Sequence, residues 1–235
     1  MESKKLVALL PMKAHSERVR NKNFRILNDK PLFFWILDTL ISMPEITQVV
    51  INTDARETLK INGLRESERI RIRDRKPELC GDEISMNCIL EDDINDVSAD
   101  LYIMTHTTNP LLSVATIRNA LGCFQKAQET KTADSLFTVN RFQTRFYWQD
   151  GSAINHDPQN LIPTQELEPW YEENSNLYLF TTSSFASTQA RIGQRPLLFE
   201  TPRLESLDID TLEDWQLAEA ITRYFFPTLS VAGEV

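Results

Sequence analysis

The amino-acid sequence predicts an α/β fold with a mostly parallel central sheet covered by helices. Strand-like and helix-like segments alternate through the first part of the chain, which is the pattern of parallel strands joined by helical crossovers. The first strand-like run, residues 6–10, is short and continuously apolar, as expected of a strand buried on both faces. With 235 residues, of which 41% are hydrophobic, the chain can bury one large core. We therefore expect a single domain over residues 1–235.

The individual elements are predicted from apolar periodicity and from capping residues. Pro31 opens the first helix, because the apolar residues that follow it fall on one helical face. Ser85 is expected to cap a second helix, and Thr211 with Asp214 resembles a capping box before the last one. The later helices are predicted at residues 85–96, 114–131 and 211–225, and the later strands at residues 46–53, 70–73, 100–105, 135–139 and 176–181.

Residues 140–173 interrupt this alternation. The segment is rich in aromatic residues and prolines and contains few long apolar runs, which indicates an arm or hairpin that leaves the main sheet. Its aromatic residues are expected either to form a small local core or to pack on a second subunit, because aromatic residues are enriched at interfaces. The pattern does not decide between these two alternatives.

A basic loop follows the first predicted strand, within residues 9–23. It offers four cations, Lys13, Arg18, Arg20 and Lys22. The loop joins a strand to a helix at the carboxyl edge of the predicted sheet, where open α/β folds bind ligands. A triphosphate fits such a loop, and the alternative is that these are ordinary solvated basic residues. Since no glycine lies between Met1 and Gly63, both the dinucleotide fingerprint and the Walker loop are excluded here.

Composition narrows the classes of partner. A formal net charge of −9 argues against a general nucleic-acid binder, because phosphate-backbone binding needs a basic surface. Three dispersed cysteines and three dispersed histidines match no disulfide set and no zinc motif, so we expect reduced thiols and a cytoplasmic protein. No apolar run approaches the length of a membrane span, and the start of the chain does not resemble a signal peptide.

Two carboxylates, Asp208 and Asp210, stand just before the last predicted helix and are separated by Ile209. In an extended segment both carboxylates project to one side while Ile209 points to the core. Two close carboxylates repel each other unless a cation lies between them, and Mg²⁺ takes one or two carboxylates together with phosphate oxygens and water. The alternative is that the two aspartates only cap the helix that follows.

The basic loop and the late Asp-x-Asp-Thr together resemble the acylneuraminate cytidylyltransferases, the CMP-sialic acid synthetases. The resemblance extends over most of the chain in the order of the family motifs. The matching segments are Pro11-Met12-Lys13-Ala14-His15-Ser16, Lys22-Asn23, Lys30-Pro31-Leu32, Asn52-Thr53-Asp54, Arg75 with Leu79, Asp82 and Ser85, Thr108-Asn109-Pro110-Leu111, Glu173 to Tyr178, and Asp208-Ile209-Asp210-Thr211.

This resemblance implies a Rossmann-like three-layer fold of the nucleotide-diphospho-sugar transferase type, and transfer of CMP from CTP to the anomeric hydroxyl of an acidic sugar. It also implies Mg²⁺ as cofactor, pyrophosphate as leaving group and a homodimer that exchanges its arm. Lys13, Arg20 and Lys22 are expected to neutralise the triphosphate, and Asp208 and Asp210 to hold the metal. The nucleotide site is expected to contain Pro11, Lys13, Ser16, Lys22, Asn23, Arg75, Asp82 and Ser85, and the sugar site His106, Thr108, Asn174 and Tyr178.

The chain departs from the family pattern at several positions. Ala14-His15 replaces a Gly-Gly pair and Lys13 replaces an arginine, while His106 stands for a frequent glutamine and Leu112 for an arginine. Two other functions therefore stay open beside transfer to a nine-carbon acidic sugar. One is the same transfer to 3-deoxy-manno-octulosonate, and the other is a catalytically degenerate nucleotide- or sugar-binding protein.

Overall fold

The computed structural model describes residues 5–14, 16 and 18–226. Within them a seven-stranded sheet runs through the molecule in the order β5-β4-β1-β6-β8-β7-β9. Its strands are β1 (Leu6–Leu9), β4 (Ile46–Thr53), β5 (Ile70–Asp74), β6 (Leu101–Thr105), β7 (Ser135–Phe142), β8 (Trp170–Phe180) and β9 (Pro196–Glu200), and a separate two-stranded ribbon joins β2 (Ile26–Leu27) to β3 (Lys30–Pro31).

Six helices accompany the sheet in the described part of the chain. They are α1 (Leu32–Ile41), α2 (Arg56–Ile61), α3 (Met86–Asp96), α4 (Val114–Glu129), α5 (Thr182–Thr188) and α6 (Leu212–Phe225). As predicted, Ser85 caps α3 by accepting a hydrogen bond from the amide of Asn87, and Thr211 with Asp214 forms a capping box at α6. None of the helices in the described ranges has the length and apolar character that crossing a bilayer requires.

The sheet is mostly parallel, as predicted. Strands β5, β4, β1 and β6 run parallel to one another, whereas β8 is antiparallel to both of its neighbours, β6 and β7. Alternate residues of β1 enter different apolar clusters, with Ala8 on one face of the sheet and Val7 and Leu9 on the other. Helices therefore cover both faces, which gives the predicted three-layer architecture.

Five of these helices and strands were not predicted from the sequence: α2, α5, β9 and the two short strands β2 and β3. Helix α5 has the sequence Thr-Ser-Ser-Phe-Ala-Ser-Thr, in which most residues are weak helix formers. It forms because Thr181 and Ser184 make a capping box and Phe185 is buried against Phe180. Tertiary burial here outweighs intrinsic propensity.

The predicted excursion at residues 140–173 is shorter than expected. Strands β7 and β8 stay paired to Phe142 and Trp170, so the ends of the segment continue the sheet and the irregular part covers residues 143–169. The rings of Phe146 and Trp170 stack with centroids 5.0 Å apart, while Trp148 is 63% exposed. The arm thus has a small aromatic cluster of its own and also a large exposed ring.

Candidate active site

A charged cavity lies at the carboxyl edge of the sheet, where the fold class predicts a ligand site. It has a volume of about 580 Å³ and is lined by residues that follow β1, β5, β6 and the last loop before α6. Its lining contains five cationic side chains and three carboxylates, so the cavity is locally positive in a chain of net charge −9. The cationic residues are Lys13, Arg18, Lys22, Arg75 and Arg191, and the acidic residues are Asp82, Asp208 and Asp210.

The basic loop is held in place by neighbouring strands without any glycine. The amide of Met12 bonds the carbonyl of Asn52 at 3.1 Å, and the amide of Ala14 bonds the Asp54 carboxylate at 2.7 Å. Asn23 donates from Nδ2 to the carbonyl of Lys13 at 2.8 Å, and its Oδ1 accepts from the hydroxyl of Thr107 at 2.6 Å. Asn23 is therefore a residue that positions the loop.

The cations of the loop are paired with carboxylates of the same cavity. Lys13 forms an ion pair with Asp82, and Asp210 contacts both Arg18 and Lys22, each at 3.1 Å. Lys22 is 8% exposed and also donates from Nζ to the carbonyl of Ile209 at 2.6 Å. The first and last motifs of the chain thus meet at Lys22.

Asp208 and Asp210 lie side by side because Ile209 is anchored between them. Ile209 is fully buried, and its amide bonds the carbonyl of Thr108 at 2.9 Å. The alternative in which the two aspartates serve only as helix caps is wrong, since Thr211 and Asp214 cap α6. Burial raises the pKa of the Asp208 carboxyl, and the hydroxyl of Thr108 acts in the opposite direction.

These two aspartates fit a divalent cation. Among the described residues, the Oδ1 atom of Asp208 is buried and has no hydrogen-bond partner, which leaves an acceptor unused on a residue that lines the cavity. The described part of the chain contains no group of three or more His, Cys, Asp or Glu residues that could hold a metal by themselves. A cation here would therefore need further oxygen ligands from a phosphate and from water, which is how Mg²⁺ is usually bound.

Arg75 closes the cavity at the β5 side. Its Nε donates to Oδ1 of Asn52 at 3.0 Å, and its Nη2 donates to the carbonyls of Asn52 and Met12 at 2.9 and 3.1 Å. Asn52 in turn donates to the buried carboxylate of Asp93 at 2.8 Å, and Asp93 is ion-paired with Arg73. Burial raises the pKa of Asp93 to about 6, although Asn52 and Arg73 act to lower it.

The opposite side of the cavity is built on β6 and β8. His106 follows β6, and burial together with the positive charges of Arg191 and Lys22 lowers its pKa to about 3. The guanidinium of Arg191 lies 3.9 Å above the ring of Tyr178 and donates to its hydroxyl at 2.9 Å. Burial raises the pKa of the Tyr178 hydroxyl, which donates in turn to Glu173. Both His106 and Tyr178 are therefore uncharged at neutral pH.

The chain matches the family model described as Cytidylyltransferase over residues 7–224. It belongs to the cytidylyltransferase family. This confirms the resemblance deduced from the motifs, and residues 7–224 include both the basic loop and the Asp208-Asp210 pair.

Similar proteins agree with this assignment. The chain is 25% identical over 227 residues to the N-acylneuraminate cytidylyltransferase of Oncorhynchus mykiss, with 93% of this chain and 50% of that protein covered. It is 21% identical over 230 residues to the CMP-N,N'-diacetyllegionaminic acid synthase of Legionella pneumophila, with 92% and 96% covered. It thus spans about half the length of the first relative and nearly all of the second.

A solved structure supports the fold of this cytidylyltransferase family member. CMP:2-keto-3-deoxy-manno-octonic acid synthetase, solved in complex with CTP, superposes with a TM-score of 0.63 at 14% sequence identity. The superposition covers 94% of this chain and 100% of that chain. At this identity the likeness concerns the fold, and the fold class predicted from the sequence is confirmed.

Most residues predicted for the site of this cytidylyltransferase lie together in the cavity. The lining includes Pro11, Lys13, Ser16, Lys22, Asn23, Arg75, Asp82, His106, Thr108, Asp208 and Asp210. His15 of the predicted motif lies outside the described residues. Leu112, where the family pattern has an arginine, is 1% exposed and belongs to the apolar core.

Four predicted residues lie elsewhere. Arg20 is exposed and does not line the cavity, whereas Arg18 lines it and contacts Asp210 at 3.1 Å. Ser85 caps α3 and lines a smaller adjoining cavity of about 360 Å³. Asn174 is buried, since its amide donates to Asn140 and to Thr201 at 3.1 and 2.7 Å. Tyr178 is fully buried, and its hydroxyl supports Arg191.

The sequence interpretation missed Arg191 and Ser175, which also line the cavity. Ser175 lies within a motif that was recognised, and its backbone φ of 55° turns the strand at this point. Arg191 stands in a loop between α5 and β9, two elements that periodicity did not reveal. Without those elements, no pattern in the sequence connects Arg191 to the cavity.

Proposed function

We propose that this protein transfers CMP from CTP to the anomeric hydroxyl of an acidic nine-carbon sugar, with Mg²⁺ as cofactor and pyrophosphate as the leaving group. The observation that carries the proposal is the meeting of the basic loop with the Asp208-Asp210 pair through Lys22, in a member of the cytidylyltransferase family. The two similar proteins named above are, by their names, synthases of CMP-linked acidic sugars.

The chemistry follows from charge and position. The anomeric oxygen of the sugar attacks the α-phosphorus of CTP, the bond from that phosphorus to the bridging oxygen breaks, and pyrophosphate leaves with the electron pair. Lys13, Arg18 and Lys22 neutralise charge on the phosphates, where preorganised cations in a partly enclosed site are most effective. Asn23 and Asp54 keep the loop in register for that contact.

Asp208 and Asp210 would hold Mg²⁺ on the proposed reaction path. Bound there, the ion would supply charge stabilisation at the phosphate oxygens. Asp210 already binds Lys22 and Arg18, and Asp208, which lines the same cavity, has an unused acceptor in its Oδ1. The acidic pair and the basic loop would thus act on the same phosphates.

The sugar is proposed to occupy the side of the cavity formed by His106 and Thr108. Both residues line the cavity beside Asp208, and His106 is neutral at assay pH, so it can donate or accept a hydrogen bond without adding charge. Asn174 and Tyr178 support this side from below through the hydrogen bonds described above.

A second candidate is the same transfer to 2-keto-3-deoxy-manno-octonic acid. It is favoured by the superposition with the synthetase of that CMP-sugar along its full length. The two candidates share all chemistry at phosphorus and differ only in the acceptor. The acceptor preference is therefore the quantity that separates them.

The deciding experiment incubates the purified chain with CTP, Mg²⁺ and each acid in turn. The acids are N-acetylneuraminate, N,N'-diacetyllegionaminate and 2-keto-3-deoxy-manno-octonate, with ATP, GTP and UTP as nucleotide controls. We expect pyrophosphate release in the presence of an acid and CTP, but not with ATP, GTP or UTP. The product should be a CMP-sugar of the matching mass. Binding of CTP without product from any acid would instead support a degenerate binding protein.

We also propose a homodimer in which the arm contributes to the interface. The support is the exposure of Trp148 and Tyr147, at 63% and 52%, on the irregular segment 143–169. Light scattering at micromolar concentration is expected to give twice the mass of 27.2 kDa. The Trp148→Ser variant should shift the mass toward the monomer, and a monomeric wild type would reject the proposal.

A further inference from the structure

We infer that Arg191 binds the carboxylate of the acidic sugar and so determines that the acceptor must be an acid. The inference rests on the proposed function, because it names a specificity-determining residue of the same site. Arg191 lines the main cavity and also the smaller adjoining one, so its guanidinium stands where the two spaces meet.

The guanidinium of Arg191 is preorganised. Its central carbon lies 3.9 Å from the centroid of the Tyr178 ring, a cation-π contact, and its Nη2 donates to the Tyr178 hydroxyl at 2.9 Å. The backbone amide of Arg191 bonds Oδ1 of Asn87 on α3 at 3.3 Å, which fixes the loop as well. A planar fork held in one orientation loses little side-chain entropy when an anion binds.

The charge of Arg191 is poorly compensated by the protein. Its ion-pair partner, Glu173, is 3.4 Å away and shares the same oxygen with the Tyr178 hydroxyl. Among the described residues, Nη1 faces only the thioether sulfur of Met104, at 3.9 Å, and a thioether is a weak acceptor. The Arg191 side chain is only 18% exposed, so water solvates its charge poorly. An additional anionic oxygen bound to the guanidinium would therefore stabilise that charge.

The anion on Arg191 is distinct from the triphosphate. The phosphate-binding loop follows β1, whereas Arg191 lies over Tyr178 of β8, two strand positions farther along the sheet. Neighbouring strands are about 4.8 Å apart, so the two places are separated by roughly 10 Å. The anion that binds Arg191 is therefore expected to come from the acceptor sugar and not from the phosphates of CTP over β1.

A carboxylate suits this guanidinium better than a hydroxyl does. The fork of an arginine matches the two oxygens of a carboxylate, and charge-assisted bonds are about twice as strong as neutral ones. A lysine at this position would keep the positive charge. It would lose the planar guanidinium, with the paired N–H donors that match a carboxylate and the contact with the Tyr178 ring. The Arg191→Lys variant therefore separates charge from geometry.

The test compares Arg191→Gln and Arg191→Lys with Arg195→Gln. Arg195 is in the same loop, but it is exposed and bonds the carbonyl of Lys131 outside the cavity, so it is the matched control. We expect Arg191→Gln to raise the KM for N-acetylneuraminate by about 10- to 100-fold and the KM for CTP by less than about twofold. Arg191→Lys should recover part of the loss, and Arg195→Gln should behave as wild type.

A carboxamide analogue of N-acetylneuraminate provides the second readout. Wild type should discriminate strongly for the acid, whereas Arg191→Gln should bind acid and amide about equally in calorimetry without CTP. Equal binding of the acid by wild type and by both Arg191 variants, with melting temperatures unchanged, would overturn the inference. Absence of turnover in wild type, with acid binding that still depends on Arg191, would reject the proposed function and leave the inference standing.

Discussion

The two sides of the cavity balance their charges in different ways. Over β1, each cation that lines the cavity is paired with a carboxylate of the same cavity, as Lys22 and Arg18 are with Asp210. Over β8, Arg191 rests on an aromatic ring, and its carboxylate partner Glu173, 3.4 Å away, also accepts from the Tyr178 hydroxyl. The first side consists of ion pairs that a triphosphate and a metal can rearrange, and the second is a fixed cation.

This difference shows how one cavity can distinguish two anions. Exposed ion pairs are worth little, so Arg18 and Lys13 can exchange their carboxylate partners for phosphate oxygens at low cost. A stacked and hydrogen-bonded guanidinium is already oriented and recognises one shape. We therefore expect substitutions over β1 to affect CTP use and turnover, and those over β8 to affect the choice of sugar.

The largest effect is expected at Asp208 and Asp210, the proposed metal ligands. Asp208→Asn and Asp210→Asn should each lower kcat by about 100-fold or more, because loss of a metal ligand removes several kcal/mol of charge stabilisation in the transition state. Steady-state kinetics over a series of Mg²⁺ concentrations measures this. Glu213→Gln, an exposed acid in the first turn of α6, is the matched control and should keep full activity. Full activity of either aspartate variant would remove that residue from the metal site.

A graded effect is expected among three cations of the basic loop. Lys22→Gln should raise the KM for CTP by about 10- to 100-fold, because Lys22 is buried and makes charge-assisted bonds. Arg18→Gln should cost less, since Arg18 is largely exposed, and Arg20→Gln should have almost no effect, since Arg20 lies outside the cavity. A larger loss from Arg20→Gln than from Arg18→Gln would contradict the placement of this loop.

The smallest effects are expected in the pH dependence of stability, with opposite signs on the two sides. Neutral His106, with its pKa lowered to about 3, contributes stability that is complete above about pH 6.5 and is lost as the pH falls. Asp93 beneath Arg75, with its pKa raised to about 6, contributes stability that is complete below about pH 4 and is lost as the pH rises through 6.

Thermal unfolding at pH 7 and pH 5 measures both signs. When the pH is lowered from 7 to 5, the free energy of unfolding of wild type should fall by about 1 to 2 kcal/mol relative to that of His106→Gln. Over the same change it should rise by about 1 kcal/mol relative to that of Asp93→Asn. For a chain of this size each kcal/mol corresponds to roughly 2–4 °C in Tm. Equal shifts in both variants would mean that neither group titrates as its burial indicates.

The fold could be predicted well where one physical signal dominates. The prediction for β4 coincides with Ile46–Thr53, because its apolar core Val49-Val50-Ile51 indicates a buried strand and the polar Asn52-Thr53-Asp54 marks its end. Ser85 and Thr211 were recognised as caps because a hydroxyl before an apolar helix has a local role. Helix α5 escaped prediction, since its stability comes from the burial of Phe185 in an apolar cluster that includes Tyr102 of β6 as well as the nearby Phe180.

The residues of the candidate site also fall into two groups, those that a local motif predicts and those that depend on tertiary packing. Lys13, Lys22 and the Asp208-Asp210 pair were found because their types and spacing within short segments already indicate phosphate and metal chemistry. Whether Arg18 or Arg20 enters the cavity depended on how the loop packs, since both stand beside the buried Val19 and Arg18 is the one that contacts Asp210. Asn174 matched a motif yet points into a buried hydrogen-bond network.

The sequence alone determined the fold class, the family and the basic and acidic residues over β1, because strand periodicity, caps and charged motifs are local properties of the chain. Only the tertiary structure decided which residues form the side over β8, where the sugar is proposed to bind. Arg191 reaches the cavity through the packing of α5 and β9 and through Tyr178, contacts between residues 13 positions apart on different elements. Such a site exists only after the sheet has brought β6 and β8 together, since no single segment contains its geometry.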